Sequence, residues 1–142
     1  MVDAPSSDPL AWRNRTAPSL AELELIAEDA FRRLPENFRR LCEGLVIRVD
    51  DFPTDEVLDH LNAQTEYDLL GLFQGVGLPF RSETAPAQMP NMIWLYRRPM
   101  IDYWAEHEEA LGDIIVHVLV HEIGHHFGLS DADMEALEAA AD

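Results

Sequence analysis

The chain has 142 residues, 47% of them hydrophobic, and sets 27 acidic against 10 basic residues for a formal net charge of −17. That length supports one globular domain with a single core and leaves no room for a second. The charge opposes nucleic acid and anionic membrane surfaces as partners, no stretch approaches the ~20 apolar residues of a membrane span, and the single cysteine, Cys42, excludes an internal disulfide. One thiol fits a reducing compartment, and the start of the chain lacks the basic residues and apolar run of a signal peptide, so a cytoplasmic protein is expected.

Residues 1–18 are polar, carry Pro and Ser, and show no period, which reads as a flexible lead-in to a folded domain over 19–142. Ser19 with Glu22 forms a capping box. Leu20, Leu23, Ala27, Ala30, Phe31 and Leu34 then fall near helical spacing until Pro35, predicting a helix over 20–33. Cys42 lies between this helix and an apolar strand, where burial as an inert thiol is expected. In the strand, Leu45, Ile47 and Val49 share one face, and Asp50, Asp51 and Pro53 close it. Thr54 caps a short helix through Val57, Leu58 and Leu61, on which His60 has polar neighbours and reads as solvated.

Tyr67 to Gly77 can be a strand or a short helix, because periodicity does not decide so short a run. Ser82 to Pro90 carries two prolines and reads as a loop. Asn91 to Tyr96 is β-rich and apolar on both faces, which predicts a strand. Pro99 opens a helix through Ile101, Trp104 and Glu108 that Gly112 ends; His107 sits there in an acidic run and reads as part of a solvated face. Asp113 is expected to cap the next helix, whose Ile114, Ile115, Val116, Val118, Leu119, Val120, Ile123 and Phe127 leave it apolar nearly all round. Such a helix belongs in the middle of a domain.

That helix carries His121-Glu122-Ile123-Gly124-His125. Residues four apart differ by about 40° in direction and about 6 Å along the axis, so His121 and His125 present both imidazoles to one metal ion. Glu122 lies about 100° round from His121, beside the ion rather than on it. Zinc lowers the pKa of a bound water to about 7, and a neighbouring carboxylate can take its proton as a carbonyl carbon is attacked. This is the HExxH arrangement, which average composition produces by chance in roughly one chain of this length per few hundred.

A third ligand is needed with one position left open. Gly128 can take φ > 0 and turn the chain back under the metal, and Asp131 is the next side chain with metal chemistry. Ser130 with Asp133 makes a capping box for a final helix, which leaves Asp131 free of the cap; Glu135 and Glu138 on that helix are the alternative ligands. His117, one turn before His121, reads as packing near the site, as support for the ligands or as a ligand itself. His126 points about 100° away from His125 and reads as structural or solvent-facing.

The whole pattern, H-E-x-x-H-x-x-G-x-x-D over residues 121–131, resembles the Asp-zincins, metallopeptidases whose third zinc ligand is an aspartate. Three stretches, Leu69 to Gly75, Met89 to Arg97 and His121 to Asp131, extend the likeness to the minimal zincin-like metallopeptidases, or mini-zincins, from about Leu34 to the end. The resemblance implies an α+β fold, a minimal zincin-like domain in which a buried metal-binding helix packs across a small β-sheet. It implies Zn2+ held by His121, His125 and Asp131, and hydrolysis of a peptide or flexible protein segment with Glu122 as base.

It also implies an edge strand that pairs with the extended substrate; of the two predicted strands Asn91 to Tyr96 is the expected one, the alternative being that Trp94 and Tyr96 simply pack the core. Tyr96, Arg97, Arg98 and Tyr103 are candidates by type for stabilising the oxyanion. Eleven residues follow Asp131, so Met134 falls inside the last helix and a conventional methionine turn beneath the metal is not expected. So small a domain lacks the extra lobe of a deep cleft, which leaves room for a homodimer to complete it. The rival reading is a non-catalytic zincin-shaped module that binds metal or a protein partner. An intact Glu122 argues against it.

Overall fold

Ser19 starts the first helix through a reciprocal cap: its hydroxyl accepts the Glu22 N–H at 3.1 Å while the Glu22 carboxylate accepts the Ser19 N–H at 3.0 Å. The computed structural model describes residues 8–75 and 91–141, so the loop expected over Ser82 to Pro90 lies outside the described residues. Helix α1 spans Leu20–Arg32 and is followed by a short α2, Glu36–Leu41. Strand β1 (Val46–Asp50) leads to α3 (Asp55–His60), where the Thr54 hydroxyl accepts the Val57 N–H. Next come β2 (Gly71–Gln74), β3 (Met92–Tyr96), α4 (Arg97–Glu106), α5 (Leu111–His126) and α6 (Asp131–Ala140). The result is the expected α+β arrangement of a small sheet with helices packed on it.

Strand order in the sheet is β1-β3-β2, with β1 parallel and β2 antiparallel to β3. The strand over 91–96 is therefore central, which corrects its expected place at the edge. A run apolar on both faces, without proline or charge, suits a position flanked on both sides. The short β2, with Gly71 and Gln74 at its ends, takes the edge among the described residues. Tyr96 N–H donates to the Leu70 carbonyl at 3.0 Å, so in this antiparallel register Leu70, Leu72 and Gln74 turn their backbone groups toward β3. Gly71 and Phe73 turn theirs outward.

One face of the sheet, with Ile47, Ile93, Leu95, Gly71 and Phe73, packs against α1 and α5. Leu23 and Ala27 of α1, Ile115, Leu119 and Ile123 of α5, and Met100 of α4 fill the space between, all fully buried. Gly71 makes the closest approach: a Cβ there would lie 2.6 Å from Val118 Cγ1 and 2.9 Å from the Trp94 carbonyl oxygen. Neither neighbour can yield without moving α5 or the sheet. Gly71→Ala should therefore cost about 1–3 kcal/mol by overpacking, seen as a lowered melting temperature, and an unchanged melting temperature would mean that β2 does not bear on α5 this closely.

The junction of α4 and α5 differs from the sequence reading. Helix α4 stops at Glu106, where the Tyr103 carbonyl accepts both the His107 N–H at 3.0 Å and a 2.8 Å contact from His107 Nδ1, with the two rings stacked 3.8 Å apart. Gly112 is not a stop, since α5 already begins at Leu111. Asp113 sits in the first turn, where its charge favours the helix N-terminus, but Ala110 is the cap residue.

Within residues 8–18, Pro9–Asn14 form a 3-10 helix, and Trp12 meets Trp104 with ring centroids 6.2 Å apart. Arg97 Nε donates to the Pro18 carbonyl and its guanidinium also pairs with Asp51 at 3.0 Å. Cys42 is buried beneath α2, and burial pushes its thiol up to about 11, the inert state its position implied.

Candidate metal centre on α5 and α6

His117, His121 and His125 stand at successive i, i+4 positions of α5 and so form one stripe along the helix. The His117 and His121 rings stack with centroids 3.9 Å apart at 29°, whereas His121 and His125 meet edge-on at 5.7 Å and 84°. The opposite side of the helix is anchored by Ile115, Leu119 and Ile123 in the core. The stripe therefore stands on a rigid support.

Glu122 is half-buried between α5 and β2, with the outward-facing N–H of Phe73 near enough to its carboxylate to favour the charged form. Burial raises its proton affinity above that of an ordinary carboxylate; the nearby His125 and the Phe73 N–H pull the other way and offset part of the rise. His126 leans on the same strand, its ring centroid 4.2 Å from that of Phe73. A Cβ on Gly75 would collide with it, so His126 packs the end of β2.

Gly128, at φ 73°, turns the chain out of α5. Ser130 and Asp133 then cap α6 reciprocally, at 3.1 and 3.3 Å, so Asp131 is the exposed first residue of α6 and does not act as its cap. Helix α6 returns antiparallel along α5. Met134 is fully buried against Gly124, where an added Cβ would lie 2.7 Å from the methionine sulfur. A methionine thus does stand under the HExxH segment, delivered by a helix instead of a turn. One turn further on, Glu138 reaches the histidine stripe, Oε1 at 2.5 Å from His117 Nδ1 and Oε2 at 3.6 Å from His121 Nε2.

Among the described residues, His117, His121 and Glu138 are the group of three whose ligand atoms lie within 4.8 Å of one another; His125 and Asp131 stand outside it. The signal for Glu138 lay in its spacing, since it shares a face of α6 with Met134 four residues earlier. Imidazole nitrogens with carboxylate oxygens are a donor set that zinc accepts.

The four oxyanion candidates separate. Arg97 is engaged by Pro18 and Asp51, Arg98 lies over the Phe52 ring, and Tyr103 stacks on His107. Tyr96 is buried, and its phenol is pushed up to about 12 by that burial and by the negative charges of Asp50 and Glu122. Of the four, Tyr96 is the one whose surroundings include Glu122.

Residues 42–141 match the family model of the zincin-like metallopeptidases. No curated protein matches the chain.

Proposed function

The chain belongs to the zincin-like metallopeptidase family, and from that premise we propose that it is a zinc-dependent peptidase in which His121, His125 and Asp131 hold the ion and Glu122 is the general base. The observation that carries this reading is the place of Glu122. It follows a ligand histidine on a buried helix, lies beside a sheet edge, and has its proton affinity raised by burial, all of which suit a group that must take up and return a proton near neutral pH. Zinc bound there would polarise a carbonyl and lower the pKa of water.

Glu122 takes a proton from the attacking water and gives it to the leaving amine. The outward backbone groups of Gly71 and Phe73 offer an extended peptide an antiparallel partner, which would place its carbonyl over α5. Asp131 is left available as third ligand because Ser130 and Asp133 cap α6. Tyr96 is the candidate for the oxyanion that this reading favours, on the grounds that it shares the field of Glu122.

Elemental analysis of metal-free-dialysed protein tests the ligand set. The expected result after zinc is restored at neutral pH is about one zinc per chain, lost in His121→Ala, with cleavage of a peptide library by the loaded wild type and none by Asp131→Ala. Cleavage kept by Asp131→Ala but lost by Glu138→Gln would move the third ligand to α6. No zinc in the wild type would leave a module that binds without catalysis.

A further inference from the structure

We propose that His117, His121 and Glu138 form a second divalent-cation position, which shares His121 with the HExxH segment and therefore holds the metal away from Glu122 whenever it is occupied. The two oxygens of Glu138 face two different imidazoles, at 2.5 Å from His117 Nδ1 and 3.6 Å from His121 Nε2. The first contact is a hydrogen bond. The second is too long for one, so the carboxylate approaches His121 without bonding it, and ligand atoms of the two stacked rings and the carboxylate lie within 4.8 Å of one another. Two imidazole nitrogens and one carboxylate oxygen, with a position open to solvent, suit zinc or a similar borderline divalent ion.

Access is also provided for. A shallow cleft between α5 and α6 opens at His117 and Glu138 and is lined as well by Glu109 and Asp113, whose charges concentrate cations at its mouth. It lies on the α6 side of the helix, whereas Glu122 faces β2. The single Nε2 lone pair of His121 serves one ion at a time. Occupation of the two positions is then exclusive, and the fraction of metal beside Glu122 is set by the ratio of the two affinities, not by metal concentration. The competition rests on the reading of His121 and His125 as the catalytic pair; the existence of the second position does not.

Cobalt(II) alone, in equilibrium dialysis with folding checked by circular dichroism, separates the cases. A His125→Ala/Asp131→Ala variant, stripped of the HExxH set, should still bind about one cobalt per chain. Adding His117→Ala and Glu138→Gln should weaken that binding by at least about tenfold. No cobalt on the first variant while the wild type binds it would overturn the second position and leave the peptidase reading intact. Should that variant fail to fold, His117→Ala/Glu138→Gln in the otherwise native chain carries the test. Cleavage per bound metal should rise at unchanged KM, since none of the ion is then held off Glu122, and an unchanged rate per bound metal would overturn the proposal.

Discussion

Glu122→Gln should keep its zinc and lose its peptidase activity, with kcat/KM falling by about 10²–10⁴. The side chains match in size, and the glutamine carbonyl oxygen still faces the Phe73 N–H, so β2 and α5 should remain in place. What is lost is a group that can take a proton from water. A variant that cleaves peptides at the wild-type rate would sink the mechanism while leaving the family assignment untouched.

The same substitution has a consequence for stability. Burial raises the proton affinity of Glu122, so the folded chain binds that proton more tightly than the unfolded chain does. Its contribution to stability is then fully present below the ordinary value of 4.5 and is lost as pH rises through the higher folded value. Glutamine has no charge to bury. Metal-free Glu122→Gln should therefore melt above the metal-free wild type at pH 7, and the gap should close as pH falls below 4.5. A gap that widens on acidification would contradict the burial argument.

Met134→Ala should cost about 2–5 kcal/mol, the range for truncating a fully buried methionine. Met134 is the buried residue of α6, and its contact with Gly124 fixes that helix against the HExxH segment. Without it, α6 loses its anchor, and with it the positions of Glu138 and Asp131. Zinc affinity should fall together with stability. Met134→Leu, which nearly conserves volume, should cost less than about 1.5 kcal/mol and spare the metal. Urea unfolding reads both effects as a shift in midpoint at constant slope; a loss well under 1 kcal/mol in Met134→Ala would show that α6 is held elsewhere.

Local chemistry was legible in the sequence. The capping boxes at Ser19 and Ser130, the turn at Gly128 and the helical register of His121, Glu122 and His125 depend on residues a few positions apart, and each forms as spacing dictates. What the sequence hid depends on distant neighbours. Gly71 marks a strand only because Val118 and Trp94 crowd it, and β3 is central only because β1 and β2 both reach it. Helix α2, with one buried residue, Phe38, is too short to show a period. Gly112 reads as a stop until the His107 and Tyr103 contact supplies an earlier one. The approach of Glu138 to His117 needed the antiparallel return of α6, which no spacing within α5 could reveal.

The Glu122 carboxylate beside the Phe73 N–H also bears on self-association. An exposed strand edge invites another copy to extend the sheet, and repeated extension leads toward fibres. Among the described residues β2 is the outer strand on its side, and beside its Phe73 N–H stands an anion, in a chain whose net charge is −17. A second copy docking there would have to bury a carboxylate further and overcome like-charge repulsion. The charge of Glu122 thus works against growth of the sheet from β2.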